Sequence, residues 1–233
     1  MNIKIVCISD THNKHRQMKH KIPECDILIH AGDYTNRGEK EQVDDFFLWL
    51  NEQTQCTNKV ITEGNHDLHT ETRFDSETGA NKWFDELIDK HNINKPEGSI
   101  TRLYNSSVQL YGLNIWGSPI TPDFYPEHWA HNCARGTKIK AVWDEIPLDT
   151  DIVITHGPVY AKLDWVPYRG GEFVGCAELD YKLQEVKPIL HVCGHIHCGV
   201  GIEQTIDTIY VNASICDEKY RPINEPHTID LTI

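Results

Sequence analysis

Five short apolar segments of this chain each run directly into side chains that can bind a metal ion. The segments end in Asp10-Thr11-His12, Gly32-Asp33, Gly64-Asn65-His66-Asp67, Thr155-His156-Gly157 and Gly194-His195-Ile196-His197. A short apolar run that stops at a turn signal is typical of a buried strand. In α/β proteins ligands collect at the carboxyl ends of the strands. The sequence therefore predicts that these five motifs converge on one site.

The first third of the chain has the alternation of an α/β protein. Within residues 39–53 apolar side chains recur at helical spacing, as Val43, Phe46, Phe47 and Leu50. This stripe predicts an amphipathic helix, and it lies between two of the predicted strands. Strand, helix and strand in succession favour mostly parallel pairing.

The same reading extends to the rest of the sequence. Helices are predicted over residues 39–53, 81–91, 138–145 and 177–186, and strands over residues 3–8, 25–31, 59–62, 100–104, 108–111, 113–116, 152–154, 189–193, 202–206, 209–212 and 228–233. Residues 67–80, 117–137 and 159–175 are predicted to be loops. No linker or repeat divides the chain, so we expect one domain over residues 1–233.

Composition limits the class of protein. No apolar run approaches the roughly 18–20 residues that cross a bilayer, and the first residues enter a strand pattern at once, so a cytoplasmic protein without a membrane anchor is expected. The formal net charge is −13, which disfavours binding to the phosphate backbone of DNA or RNA. Eight cysteines without a CxxC pair indicate buried thiols rather than a disulfide framework.

The five motifs supply seven potential metal ligands of three chemical kinds. They are the carboxylates of Asp10 and Asp33, the amide oxygen of Asn65 and the imidazoles of His12, His156, His195 and His197. Any one of these alone is more often a turn former, a helix cap or a packed side chain. Together they suit a pair of divalent first-row metal ions. His66, next to Asn65, remains free to move a proton.

In chain order, these motifs resemble the signature of the calcineurin-like metallophosphoesterases: Asp-x-His, Gly-Asp, Gly-Asn-His-Asp, a lone histidine and Gly-His-x-His. Shorter stretches, such as Thr155-His156-Gly157-Pro158 and residues 210–214, resemble the MPPED-type phosphodiesterases within that superfamily. The resemblance covers residues 3 to about 200. It implies a four-layer α-β-β-α sandwich with two mixed β-sheets.

The resemblance also implies a role for each residue. It assigns one metal ion to Asp10, His12 and His197, the other to Asn65, His156 and His195, and a bridging position to Asp33. Two metal ions held in this way lower the pKa of a shared water, and the resulting hydroxide attacks phosphorus. His66 is then a catalytic residue that stabilises the phosphoryl group or protonates the leaving oxygen, and Asp67 is expected to orient His66. Mn²⁺ is the favoured ion, with Fe²⁺ or Zn²⁺ as alternatives.

The expected activity is a metallophosphoesterase that hydrolyses small phosphodiesters, with cyclic nucleotides as the leading substrates. Arg37 follows Asp33 in a segment that in protein phosphatases carries a phosphate-binding arginine, although an asparagine replaces the expected aspartate beside it. Trp165, Tyr168 and Arg169 lie in an aromatic loop that can hold a base or a phosphate. These four residues are the expected substrate contacts.

Three alternatives stay open. A phosphatase acting on phosphoproteins or small monoesters is the first, and the complete Gly-His-x-His motif argues against its phosphoprotein form. A nuclease is opposed by the net charge of −13, so no polymeric nucleic acid and no membrane is expected as a partner. A non-catalytic metal-binding scaffold predicts a missing ligand, and all seven are present. The oligomeric state is open, with a homodimer as one alternative.

Overall fold

The computed structural model describes residues 1–71, 80–92 and 99–232, without the side chains of residues 80–82, 85 and 169. Most of the predicted loop 67–80 therefore lies outside the described residues. The described helices are α1 Lys40–Glu52, α2 Ala80–Asn92, α3 Thr137–Trp143 and α4 Ala177–Val186. The described strands are β1 Asn2–Ile8, β2 Cys25–Ala31, β3 Cys56–Thr62, β4 Ile100–Arg102, β5 Ser106–Leu110, β6 Leu113–Ser118, β7 Thr121–Pro122, β8 Asn132–Cys133, β9 Ile152–Thr155, β10 Trp165–Val166, β11 Glu172–Phe173, β12 Leu190–Cys193, β13 Gly201–Gln204, β14 Ile209–Asn212 and β15 His227–Thr232.

Two large sheets contain most of these strands. The first has the order β15-β1-β2-β3-β4, and the second has the order β13-β14-β12-β9-β6-β5. In both, the central strands run parallel, and β15, β13 and β5 join an edge antiparallel to their neighbours. Both sheets are therefore mixed. Strands such as β9 (Ile152–Thr155) are buried along their whole length, which fits their apolar sequence.

One apolar cluster lies between the two sheets. Ile5 and Ile29 from the first sheet meet Ile115 and Ile154 from the second there, and all four are fully buried. Successive side chains of a strand point to opposite faces, so Val6, next to Ile5, packs on the other side of the first sheet.

Two further clusters cover the outer faces. Phe46 and Phe47 of α1 and Phe84 of α2 pack on the first sheet, while Trp143 of α3 and Leu179 of α4 pack on the second. The result is the predicted four-layer α-β-β-α sandwich, and the fold prediction is confirmed. The stripe predicted for α1 is also the face that the structure buries.

The predicted loops 117–137 and 159–175 contain some regular structure. β7 pairs with β8 in the first loop, and β10 pairs with β11 in the second. Strands of two residues are too short to show a periodic pattern, which is why the sequence did not reveal them. Among the described residues, no helix combines the length and the apolar character that crossing a membrane requires.

The inter-sheet cluster generates a stability prediction. Ile154→Ala removes a side chain with 0% exposure from the middle of the second sheet, so it is expected to lower the free energy of unfolding by about 2–5 kcal/mol. Ile206→Ala, at a side chain that is 99% exposed, is the matched control and is expected to change it by less than about 0.5 kcal/mol. Urea denaturation of both variants measures the difference, and equal effects contradict the placement of Ile154.

Candidate metal centre

The five motifs follow five strands that end at the same edge of the sandwich. Those of Asp10, Asp33 and Asn65 follow β1, β2 and β3, which are neighbours in the first sheet. Those of His156 and His195 follow β9 and β12, which are neighbours in the second sheet. Both sheets thus contribute side chains to one centre, as the strand-end pattern predicts.

Several potential ligands have an unusual backbone conformation. Asp10, His12, Asp33 and His195 have φ angles of 51°, 42°, 57° and 66°, in the left-handed region that non-glycine residues rarely adopt. Backbone hydrogen bonds hold these turns, including Asp10 N–H to Gly32 O at 2.9 Å and His12 N–H to Asp33 O at 2.9 Å. Strain of this kind persists only where the surroundings fix it, and it clusters at functional sites.

Two glycines let the motifs approach one another. A Cβ atom at Gly64 would overlap with Oδ1 of Asp33, and one at Gly194 would overlap with Ser9 Oγ and Asp10 Oδ2. The glycines of these motifs are therefore required by close packing around the carboxylates.

The ligand atoms form two groups with a shared carboxylate between them. In the first group, Asp10 Oδ1 lies 3.3 Å from His197 Nε2, and His12 Nε2 lies 3.2 Å from the same nitrogen. In the second group, His156 Nε2 lies 3.2 Å from Asp33 Oδ2 and 3.0 Å from Asn65 Oδ1.

Asp33 connects the two groups. Its Oδ2 also lies 3.9 Å from His12 Nε2, so one carboxylate oxygen faces an imidazole from each group. His195 completes the second group, because its ligand atom lies within 4.8 Å of those of Asp33 and His156. The structure thus brings all seven predicted ligands together.

The orientation of the imidazoles fits metal binding. Nδ1 of His156 donates to Ala31 O at 2.9 Å, and Nδ1 of His197 donates to Asp217 O at 3.0 Å. With the proton on Nδ1, each Nε2 presents a lone pair to the centre, which is the arrangement of a metal-bound histidine. Converging lone pairs and carboxylates repel one another unless a cation lies between them. The donor set therefore fits divalent cations.

Electrostatics and burial keep Asp33, His12 and His195 in the protonation state that binds a metal ion, whereas His156 holds a proton in the metal-free centre. Burial alone would raise the pKa of Asp33, but the charges of His156 and His66 hold it well below its ordinary value. Burial lowers the pKa of His12 to about 4 and that of His195 to about 3. Burial would also lower the pKa of His156, but the charge of Asp33 raises it to about 9. A cation bound here would take the place of that proton.

His66 lies beside the ligands and lines the cavity, with a ring nitrogen within 4.8 Å of ligand atoms of His12 and Asp33. Its backbone N–H donates to Asp33 Oδ1 at 2.8 Å, and its Nδ1 donates to Asn36 O at 2.8 Å. Its ring meets that of His12 edge to face, with centroids 4.6 Å apart. Nε2 of His66 is thus the ring nitrogen available to a bound molecule.

Asp67 does not contact the ring of His66 in the way the sequence led us to expect. Its carboxylate accepts hydrogen bonds from the backbone N–H groups of Asp33, Thr35 and Gly64, and from the Thr35 hydroxyl, at 2.7–2.9 Å. Burial and the neighbouring charge of Asp33 raise its pKa to about 8, against these hydrogen bonds. The structure places Asp67 as a support of the loops that carry the ligands.

A cavity of about 360 Å³ opens onto the centre. Of the predicted substrate contacts whose side chains are described, Tyr168 lines it. Trp165 packs instead on Phe173, with ring centroids 4.8 Å apart. Arg37 lies with its guanidinium 5.3 Å from the ring of Trp129 and is not a lining residue. The side chain of Arg169 lies outside the described residues.

Sequence reasoning missed several residues at the site. Trp129 and Tyr220 line the cavity against His66 and His12, and Ser214 donates to Asp10 Oδ2 at 2.8 Å. Trp129 lies in a loop without a periodic pattern, and only its aromatic composition was a signal.

Comparison with known proteins identifies the family of this chain. A family model described as calcineurin-like phosphoesterase matches residues 3–199. Human metallophosphoesterase domain-containing protein 1 is 38% identical over 236 residues, which cover 98% of this chain and 71% of the human protein. A UPF0046 protein of Caenorhabditis elegans is 33% identical over 241 residues, covering 99% of this chain and 82% of the relative.

A solved structure shares the architecture. Phosphopantetheinyl hydrolase (PptH) of Mycobacterium tuberculosis superposes with a TM-score of 0.62 over 93% of this chain and 90% of that one, at 14% sequence identity. At this identity the likeness concerns the fold alone. The family match, by contrast, contains all five motifs whose side chains meet at the centre, and the chain therefore belongs to the calcineurin-like phosphoesterases, which are phosphoester hydrolases.

Proposed function

We propose that this protein is a phosphodiesterase that uses two divalent metal ions and hydrolyses small phosphodiesters, with cyclic nucleotides as the leading substrate class. The observation that carries the proposal is the character of the cavity. Its floor is the ligand cluster, its walls include Phe124, Tyr125 and Trp129, and none of the described lining residues is lysine or arginine. Such a cavity suits an aromatic base joined to a phosphate of low charge.

The ligand groups support an assignment of residues to the two proposed ions. Asp10, His12 and His197 would hold one, Asn65, His156 and His195 the other, and Asp33 both. Bound there, divalent ions supply Lewis acidity and an activated water for attack on phosphorus. Imidazole ligands favour Mn²⁺, Fe²⁺ or Zn²⁺ over Mg²⁺, and we propose Mn²⁺.

His66 has the geometry of a proton donor. The hydrogen bond from Nδ1 to Asn36 O keeps a proton on that nitrogen. The proton that the ring gives up therefore comes from Nε2, which faces the cavity. A departing alkoxide needs such a proton at neutral pH.

Electrostatics favour a diester over a monoester. A diester phosphate carries one negative charge and a monoester carries about two near neutral pH. The cavity has Glu218 at its rim, and the whole chain has a net charge of −13. Beyond the charge of the proposed metal ions, the second charge of a monoester finds no basic side chain among the described lining residues and lies in a cavity that contains Glu218, so the side chains favour the diester.

Metal content tests the ligand assignment. Reconstitution with Mn²⁺ is expected to give two ions per chain by elemental analysis, because two ligand groups are present. Asp33→Asn is expected to weaken both ions together, since Asp33 Oδ2 faces His12 and His156. Asp230→Asn, at an exposed carboxylate on β15, is the control and should keep both ions. Loss of only one ion from Asp33→Asn argues against the bridge.

The role of His66 is tested with leaving groups of different quality. His66→Ala should retain both metal ions and lose about 10²–10⁴-fold in kcat on diesters with alkoxide leaving groups, which need a proton. Diesters of nitrophenol should lose much less. His128→Ala, at an exposed histidine of the same loop as Trp129, controls for removal of an imidazole. Equal losses on both kinds of substrate, or loss of metal, count against a proton donor.

Substrate class is decided by comparing kcat/KM across a panel. Bis(4-nitrophenyl) phosphate should be cleaved faster than 4-nitrophenyl phosphate, and 2′,3′- or 3′,5′-cyclic nucleotides should be hydrolysed, because the cavity disfavours a second negative charge. Preference for the monoester or for phosphopeptides would identify a phosphatase instead. Rapid cleavage of single-stranded DNA would identify a nuclease.

A further inference from the structure

Trp129 is fixed to the same stretch of chain as His66. It lies in the loop between β7 and β8, and the next residue, Ala130, donates its backbone N–H to Asn65 O at 3.0 Å. The side chain of Asn132 donates to the carbonyl oxygens of Trp129 and Ala130 at 3.2 and 2.8 Å. The backbone beneath the indole is therefore held against the residue that precedes His66.

Among the described residues, the ring that lies nearest to the imidazole of His66 is the indole of Trp129. The centroids of Trp129 and His66 lie 4.1 Å apart with an interplanar angle of 33°, against 4.6 Å for His12 and 6.3 Å for Tyr220. The guanidinium of Arg37 lies 5.3 Å from the same indole. Trp129 thus contacts both His66 and Arg37, a side chain of the β2–α1 connection.

This contact restrains a motion that the hydrogen bond of His66 leaves free. The bond from Nδ1 to Asn36 O fixes one atom of the ring, but the ring can still pivot about that atom, and His66 is only partly buried. A pivot displaces Nε2, the atom that faces the cavity. The face of an indole against the imidazole limits the pivot at low entropic cost, because tryptophan has two side-chain torsions.

We propose that Trp129 is a positioning residue that holds Nε2 of His66 toward the leaving oxygen. This inference depends on the proposed function of His66 as a proton donor. Misplacement of a reacting group by about 1 Å can cost about 100-fold in rate. Trp129 also lines the cavity, so the competing role is a stacking platform for the base of a nucleotide. The contacts that the indole already makes with His66 and Arg37 favour the positioning role.

Kinetics on two leaving groups separate these roles. Trp129→Ala should lower kcat about 10- to 100-fold on diesters with alkoxide leaving groups and less on nitrophenyl diesters, with KM little changed. Trp129→Phe should restore most of the rate, because a ring again covers the imidazole. In the His66→Ala background, Trp129→Ala should cause no further loss. Tyr181→Ala, at a 72% exposed aromatic on α4, is the control for removal of an aromatic side chain.

The positioning role would be overturned in favour of the stacking platform if Trp129→Ala raises KM for cyclic nucleotides and leaves kcat unchanged, and does so in the His66→Ala background as well. Equal losses of kcat on both leaving groups would also overturn it. Wild-type protein that cleaves monoesters and no diester would refute the proposed function. The same leaving-group comparison on alkyl and nitrophenyl monoesters would then still test Trp129.

A measurement on the metal-free protein tests the contact without turnover. With 5-fluorotryptophan in place of tryptophan, the ¹⁹F resonance of Trp129 is identified by its absence in Trp129→Phe. That resonance should shift in His66→Ala and stay in place in His128→Ala, because only the first removes the ring that covers the indole. An unchanged resonance in His66→Ala would overturn the proposal.

Discussion

The carboxylate of Asp67 holds the centre together, although it is not one of the seven potential ligands. Its two oxygens accept from the backbone of Asp33, Thr35 and Gly64, and therefore tie the loop after β2 to the loop after β3. Those loops carry Asp33 on one side and His66 on the other. Four hydrogen bonds hold this buried side chain in place, so the spacing between Asp33 and His66 is set by a residue that is not itself one of the potential ligands.

The imidazoles are oriented in the same indirect way. His156, His66 and His197 each donate from Nδ1 to a backbone carbonyl, on Ala31, Asn36 and Asp217 respectively. Backbone acceptors do not depend on which side chain occupies the position. The direction in which each Nε2 points is thus set by the backbone. The negative charge among the potential ligands comes from the carboxylates of Asp10 and Asp33.

The sequence predicted the parts of the site that lie at strand ends. The apolar run before Asp10 or His156 marks a buried strand, and the geometry of parallel strands brings their ends together. The contacts of Asp67 were not predicted by the same pattern. Its place next to His66 suggested a contact between the two, but the turn closed by Asp67 N–H to Gly64 O directs the carboxylate to backbone amides. The contact of Trp129 with His66 depends on how a loop without periodicity folds over the centre, which local sequence does not encode.

The contribution of both sheets to the centre has a consequence for how the protein matures. His12 and His197 are separated by 185 residues, and their nitrogens lie 3.2 Å apart. A nascent chain has neither His195 nor His197 in place until it has been made past β12, so neither ligand group can be complete before that point. If the centre binds metal ions as proposed, binding must therefore follow folding of both sheets. Ions that bind only the native state add to its stability by mass action, so a shortage of metal would then lower the population of folded protein.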